Sequence, residues 1–89
     1  LGLNSRAIGT GSFAGGKNST ANGNNSTAVG SYSTATGTST SAFGNFATAT
    51  GNFSTAVGRS ANSGGLNSSA FGDRANAAGA QGAFGDCQR

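Results

Sequence analysis

Large apolar residues are rare along this chain and fall at regular places. Val29, Phe43, Val57 and Phe71 recur every fourteen residues, each directly before a glycine, in near copies running Asn25 to Gly30, Ser39 to Gly44, Phe53 to Gly58 and Asn67 to Gly72. Between each pair lies a weaker relative with Thr36, Thr50 or Gly64 in the large residue's place. The underlying unit is therefore seven residues long. Glycine closes it at 9, 16, 23, 30, 37, 44, 51, 58, 65, 72 and 79, and alanine stands two places earlier every time except at Ser63. So strict a period decides the architecture before any single residue does.

Within the unit the pattern has period two. Counting back from glycine, position −4 is small throughout (Ser5, Ser12, Ser19, Ser26, Ser33, Thr40, Ala47, Ser54, Ala61, Ser68, Ala75), as is the alanine at −2. These two share one face of a strand, and positions −3 and −1 point the other way. Each unit reads as a five-residue strand closed by a turn. Glycine suits that corner because it accepts positive φ, and Asn24, Asn45 and Asn52 directly after it are the next most tolerant type. A coiled coil is excluded, since a glycine in every heptad among Thr, Ser and Asn gives no apolar seam on good helix formers. Collagen needs glycine at every third residue and proline, and neither is present.

Two strands per fourteen residues predict an all-β chain, a parallel β-solenoid flattened into a roll with a narrow interior of Ala, Ser and Thr. About six coils at a strand spacing of roughly 4.8 Å would stand about 29 Å tall. Strong and weak units alternate, so the two outer walls differ. One carries Val29, Phe43, Val57, Phe71 and Phe84 before the glycine; the other carries Asn22, Thr36, Thr50, Gly64 and Ala78. The first wall is an apolar stripe that a lone chain would leave in water, and alanine and serine inside offer little burial to offset the entropy of ordering the backbone. The stripes of several chains are therefore expected to meet on a common axis. Ile8 falls on the wet wall, and the in-phase position is Gly15, where Phe13 on the same face can fill the axis instead. At the other end, the unit Ala80 to Gly85 is one residue short.

Composition narrows the function. Seventeen glycines and few charges would suit a disordered segment, but the strict register of the glycines argues against it. The net charge of +3 comes from five scattered cations against Asp73 and Asp86, with no basic block, so nucleic acid is not the expected partner. No apolar run is long enough for a transmembrane helix, and no direct membrane contact is expected. With no His or Glu, one Cys and two Asp on separate turns, no catalytic base, metal cluster or cofactor site is expected, and the chain reads as a non-enzyme. Gly9-Thr10-Gly11 lacks the third glycine of a dinucleotide fingerprint. Asn-x-Ser/Thr tripeptides such as Asn18-Ser19-Thr20 read as turn residues produced by the repeat. Cys87 reads as a terminal free thiol.

Asn-Ser-Thr-Ala-Val-Gly at 25–30 and Asn-Ser-Ser-Ala-Phe-Gly at 67–72, interleaved with Ser-x-Ala-x-Gly units, resemble the head repeats of the trimeric autotransporter adhesins, the YadA-like heads. The resemblance covers nearly all of residues 4 to 85. It implies a left-handed roll, three chains around one axis, and exposure on the outer membrane surface of Gram-negative bacteria. It also implies attachment to host cells or to extracellular-matrix proteins such as collagen. Neither the family's neck motif nor its stalk heptads appear, so residues 1–85 are expected to be head alone. Residues 86–89 are then a tail, non-native or the start of a further element.

On this reading Val29, Phe43, Val57, Phe71 and Phe84 are the trimer core. Tyr32 and Phe46, one coil apart at the same corner, and Phe53 at the other corner are open to two readings: packing across a turn or against a neighbouring chain, or an exposed contact for a ligand. Arg59 and Arg74 at the corners are solvated charges or receivers of acidic ligand groups. Two alternatives to adhesion stand. The Thr34/Thr36 and Thr48/Thr50 pairs could order water as in ice-binding solenoids, and the roll could be a purely structural spacer.

Overall fold

Among the described residues each heptad becomes one short strand and one turn. The computed structural model describes residues 2–77 and the backbone of 82–84. The strands are β1 (Arg6–Ala7), β2 (Phe13–Gly15), β3 (Thr20–Ala21), β4 (Thr27–Val29), β5 (Thr34–Ala35), β6 (Ser41–Phe43), β7 (Thr48–Ala49), β8 (Thr55–Val57), β9 (Asn62–Ser63), β10 (Ser69–Phe71), β11 (Asn76–Ala77) and β12 (Gly82–Phe84). The odd-numbered strands form one parallel six-stranded sheet and the even-numbered strands the other, each in chain order. The chain is thus a β-solenoid with a coil of fourteen residues, seen in pairs such as Thr20↔Thr34 and Thr27↔Ser41.

The strands hold two or three residues, not the five expected. Their ends are taken by the turns. In the even sheet the glycine amide continues the ladder, as in Gly44 N–H to the Val29 carbonyl at 2.8 Å. In the odd sheet the ladder stops at alanine: Asn22 N–H bonds the Ala35 carbonyl at 2.8 Å, and the next amide, Gly23, reaches the same oxygen only at 3.4 Å. Strands of the odd sheet are therefore one residue shorter.

Each turn starts at the closing glycine and ends at the −4 residue. In Gly30-Ser31-Tyr32-Ser33, Ser33 N–H bonds the Gly30 carbonyl at 3.2 Å, and Tyr32 has φ of 66°. Positive φ at the third residue is the mark of a type II turn. This corrects the expected place of the tolerant residue. Asn24, Asn45 and Asn52, directly after glycine, do not take positive φ; the residue one further on does, at Asn4, Asn18, Asn25, Tyr32, Ser39, Phe46, Phe53, Ser60, Asn67 and Arg74. The three asparagines bond between coils instead. Asn24 and Asn52 accept through Oδ1 from the amides of Thr10 and Thr38 at 3.0 Å, and Asn45 Nδ2 donates to the Ser31 carbonyl at 3.0 Å.

Glycine is required chiefly by stacking. A Cβ on Gly37 would lie 2.7 Å from the carbonyl oxygens of both Gly51 and Thr50, so the backbone of the next coil occupies the space. Positive φ adds to this where the chain leaves the even sheet, as at Gly30 (φ 126°), whose Cβ would lie 2.6 Å from the Gly44 carbonyl oxygen.

The core contains only small residues. Alanines from Ala14 to Ala77, Ser19, Ser26, Ser33, Ser54, Ser63, Ser68 and Thr40 are buried. The −4 hydroxyls are not spare polar groups: each caps its own turn, as Ser26 Oγ does on the Gly23 carbonyl at 2.6 Å and Thr40 Oγ1 on the Gly37 carbonyl at 2.8 Å. Ser63, standing where other units have alanine, is satisfied by Ser68 Oγ at 2.7 Å. The Cα atoms span 32 × 21 × 10 Å. The smallest extent contains both sheets, so their separation stays within that of ordinary packed sheets, and the long axis agrees with the stacked height expected from the repeat.

At the C-terminal end, Ser69↔Gly82 and Phe71↔Phe84 pair across thirteen residues. The even sheet keeps its register there.

Candidate interaction surface

The outward positions of the even sheet form two columns, Phe13, Thr27, Ser41, Thr55 and Ser69 in one and the residues before glycine in the other. Register aligns Gly15, Val29, Phe43, Val57, Phe71 and Phe84, one above the other. Val29, Phe43 and Phe71 are 38%, 39% and 41% exposed, and Val57 is half-buried. The Phe84 backbone continues the column; its side chain lies outside the described residues. At the vacant place in the column, a Cβ on Gly15 would meet Cε2 of Phe13 at 3.2 Å. The Phe13 ring therefore covers the spot, as its position on the same face suggests.

The opposite wall shows Arg6, Thr20, Thr34, Thr48, Asn62 and Asn76 in one column and Asn22, Thr36, Thr50 and Gly64 in the other. Ile8 heads the second column and is exposed. Ala78 lies outside the described residues. One wall thus carries an apolar column that the other lacks, as the alternation of strong and weak units requires.

Two long edges of stacked turns join the walls. The first edge, where the chain leaves the even sheet, carries Leu3/Asn4, Lys17/Asn18, Ser31/Tyr32, Asn45/Phe46, Arg59/Ser60 and Asp73/Arg74. Tyr32 and Phe46 stack there with ring centroids 5.0 Å apart and planes 5° from parallel. Arg59 and Asp73, one coil apart, make an exposed ion pair with Nε–Oδ1 of 3.1 Å. The second edge carries Thr10/Gly11, Asn24/Asn25, Thr38/Ser39, Asn52/Phe53 and Leu66/Asn67. Phe53 and Leu66 are well exposed there. Of the corner residues singled out from sequence, Tyr32 and Phe46 are brought together, Arg59 and Arg74 sit one and two coils above Phe46, and Phe53 is on the far edge. Leu66 was missed. Its signal was a large apolar residue directly after glycine, where the same place on the earlier coils holds Thr or Asn.

Among the described residues no cluster of His, Cys, Asp or Glu can hold a metal ion, and no helix is long and apolar enough to cross a membrane. Asp86 and Cys87 lie outside them. The surface offers shape, apolar area and hydrogen-bonding groups, which suits association.

A family model described as the YadA head domain repeat, in two copies, matches residues 1–26, 7–33, 35–61 and 63–82. The chain has no match among curated proteins. A full match spans about two of the coils described above, so the family's unit and the structural unit coincide. By its repeats and by the solenoid they build, the chain belongs to the YadA head domain repeat family, a structural repeat of surface adhesins.

Proposed function

We propose that this chain is the head of a trimeric autotransporter adhesin, a non-catalytic body that attaches a bacterium to host cells or to extracellular-matrix proteins such as collagen. Residues 1–85 form the head, and 86–89 lie beyond it. Three copies stand around one axis as left-handed rolls, with Val29, Phe43, Val57, Phe71 and Phe84 turned inward as the shared core. The observation that carries this reading is the exposed apolar column on the even sheet. Apolar residues repeated in register on one wall, with polar residues on the other, mark an interaction surface. An alanine and serine core gives each chain little burial of its own, so association supplies what folding lacks.

The ligand surface lies on the outer, polar wall and the corners, with Arg59 and Arg74 among its cations. Tyr32, Phe46 and Phe53 contribute where a neighbouring copy leaves them uncovered. Three copies on a rigid body multiply weak contacts. Light scattering coupled to size exclusion tests the assembly: a mass of three chains is expected, and a folded single chain overturns the reading. Solid-phase binding to a panel of matrix proteins tests attachment. Retention of at least one is expected; a trimer that binds none is a spacer. The in-register threonines of β5 and β7 favour an ice-ordering wall as a second reading, but Asn62 and Gly64 interrupt it on the next coil. Thermal hysteresis at micromolar protein would select that reading.

A further inference from the structure

The column of positive-φ residues on the first edge has a gap in it. In chain order, taken as upward, it holds Asn4, Asn18, Tyr32, Phe46, Ser60 and Arg74, all with φ of 60° to 66°. A shared backbone conformation sends these side chains off the edge in one direction, successive ones a coil apart, or about 4.8 Å. The Tyr32 and Phe46 rings keep that spacing, with centroids 5.0 Å apart and planes 5° from parallel. Each covers one face of the other. The second face of Phe46 is toward Ser60, whose hydroxymethyl group is too short to cover a ring, and Phe46 is 53% exposed against 44% for Tyr32. Between Phe46 and Arg74 the edge therefore has a slot one side chain deep, with an aromatic floor, Ser60 at its back and Arg74 above.

The turn does not ask for these side chains. Tyr32, Phe46 and Arg74 take φ of 66°, 64° and 63°, a region where bulky residues are uncommon, and Asn or Ser fills the same place on the other coils of this edge. Strain of this kind points to a role outside the turn. The charges beside the slot are also unevenly paired. Arg59, in the turn of Ser60, and Asp73, in the turn of Arg74, meet across the same two coils, Nε to Oδ1 and Nη2 to Oδ2 both at 3.1 Å. Both carboxylate oxygens of Asp73 are thus engaged, and Arg74 has no side-chain partner among the described residues.

These surroundings define an occupant. An unpaired guanidinium attracts an anion, and its planar fork matches a carboxylate. The floor asks for a flat apolar face, and the C–H groups of a saturated ring, slightly positive, match the negative face of an aromatic ring. Height separates a saturated ring from a flat one. Two coils put about 9.6 Å between floor and roof, whereas a flat ring touching both would need about 7–8 Å. A puckered ring with hydrogens on both faces takes up more of that height, and hydroxyls on its rim can exchange hydrogen bonds with Ser60 and with the Arg59–Asp73 pair. An aromatic platform with a few placed polar groups is the usual make-up of a small-ligand site. We infer that this slot binds an acidic sugar, a pyranose ring bearing a carboxylate, with one face on Phe46 and the carboxylate on Arg74. The inference rests on the reading of this chain as an adhesin and gives its corner surface a ligand class.

The test titrates methyl glucuronide into the whole isotope-labelled chain, followed by nuclear magnetic resonance. Methyl glucoside, which lacks the carboxylate, and benzoate, a flat acid, serve as comparisons. The glucuronide should move the Ser60 and Arg74 amide resonances and bind roughly tenfold more tightly than the glucoside. Arg74→Gln should remove that preference. Phe46→Asn should abolish binding of both sugars yet keep the solenoid circular dichroism, since Asn4 and Asn18 already occupy that place in the column. Ser60→Phe should also abolish it, by filling the slot with a third ring at a place where Phe46 shows that the turn accepts one. Benzoate binding as tightly as the glucuronide overturns the sugar. No shift with any probe, or binding that survives both Phe46→Asn and Ser60→Phe, overturns the slot; retention of the same protein on a matrix protein then leaves the adhesive reading standing. A chain that takes the glucuronide but no matrix protein keeps the slot and overturns matrix attachment.

Discussion

Placing a charge on the apolar column should separate the chains. Val57 sits in register between Phe43 and Phe71, the centre of that column. Val29, in the same column, keeps 38% of its surface exposed in the single chain, so the part another chain can cover is worth about 0.6–1.2 kcal/mol per valine. That loss is the smaller term. In Val57→Asp a carboxylate would also have to leave water, at an effective cost of several kcal/mol per ion. Taking only about 3 kcal/mol per chain gives about 9 kcal/mol for three, roughly six orders of magnitude in the association constant. Thr50→Asp, exposed on the polar wall, should stay within about 0.5 kcal/mol of the parent. Light scattering at micromolar protein reads the mass, and far-ultraviolet circular dichroism reads the strands. Val57→Asp should lose the assembled mass and the strand signal together, since its own core holds only alanine, serine and threonine. Thr50→Asp should lose neither. Equal tolerance of both, or equal disruption by both, refutes the assigned facing.

Other substitutions test the stack. Gly37→Ala drives a Cβ to 2.7 Å from the backbone of the next coil and should abolish cooperative thermal unfolding, whereas Gly64→Ala meets nothing nearer than Thr50 Oγ1 at 3.6 Å and should hold or raise stability by about 0.4–1 kcal/mol. In the core, Ser26→Ala loses the bond to the Gly23 carbonyl and should cost about 0.5–1.5 kcal/mol in denaturant titration. Ser26→Val at the same buried place also overpacks and should cost a further 1–3 kcal/mol or so; similar midpoints for the two would show that the interior is not tight. Arg59→Ala removes an exposed ion pair and should shift stability by at most about 1 kcal/mol, with little change in its salt dependence.

The architecture was legible because the period carried it. Glycine at every seventh position and small residues at −2 and −4 allow one way to stack a chain, and the alternation of Val or Phe with Thr or Asn assigned the two walls. Strand length and turn geometry were not legible. Period two runs through positions that belong to the turn, so Ser26 and Ser33 look like strand residues although their hydroxyls cap the preceding glycine carbonyl. Asparagine after glycine looked like the positive-φ residue, because asparagine tolerates that region well. The column one further on mixes Asn, Ser, Tyr, Phe and Arg, and so hides the conformation its members share. Glycine's stricter reason, the backbone of the coil above, involves residues fourteen apart and appears only once the coils are stacked.

Gly30, Gly44 and Gly58 fit against one another as identical steps, and so do Gly23, Gly37 and Gly51. Such a staircase sets the quantum by which a gene for this body can lengthen or shrink. Gain or loss of fourteen codons leaves each step on its neighbour and merely changes the reach of the rod. Seven codons preserve the steps but carry every later valine and phenylalanine to the opposite side, splitting the greasy seam in two.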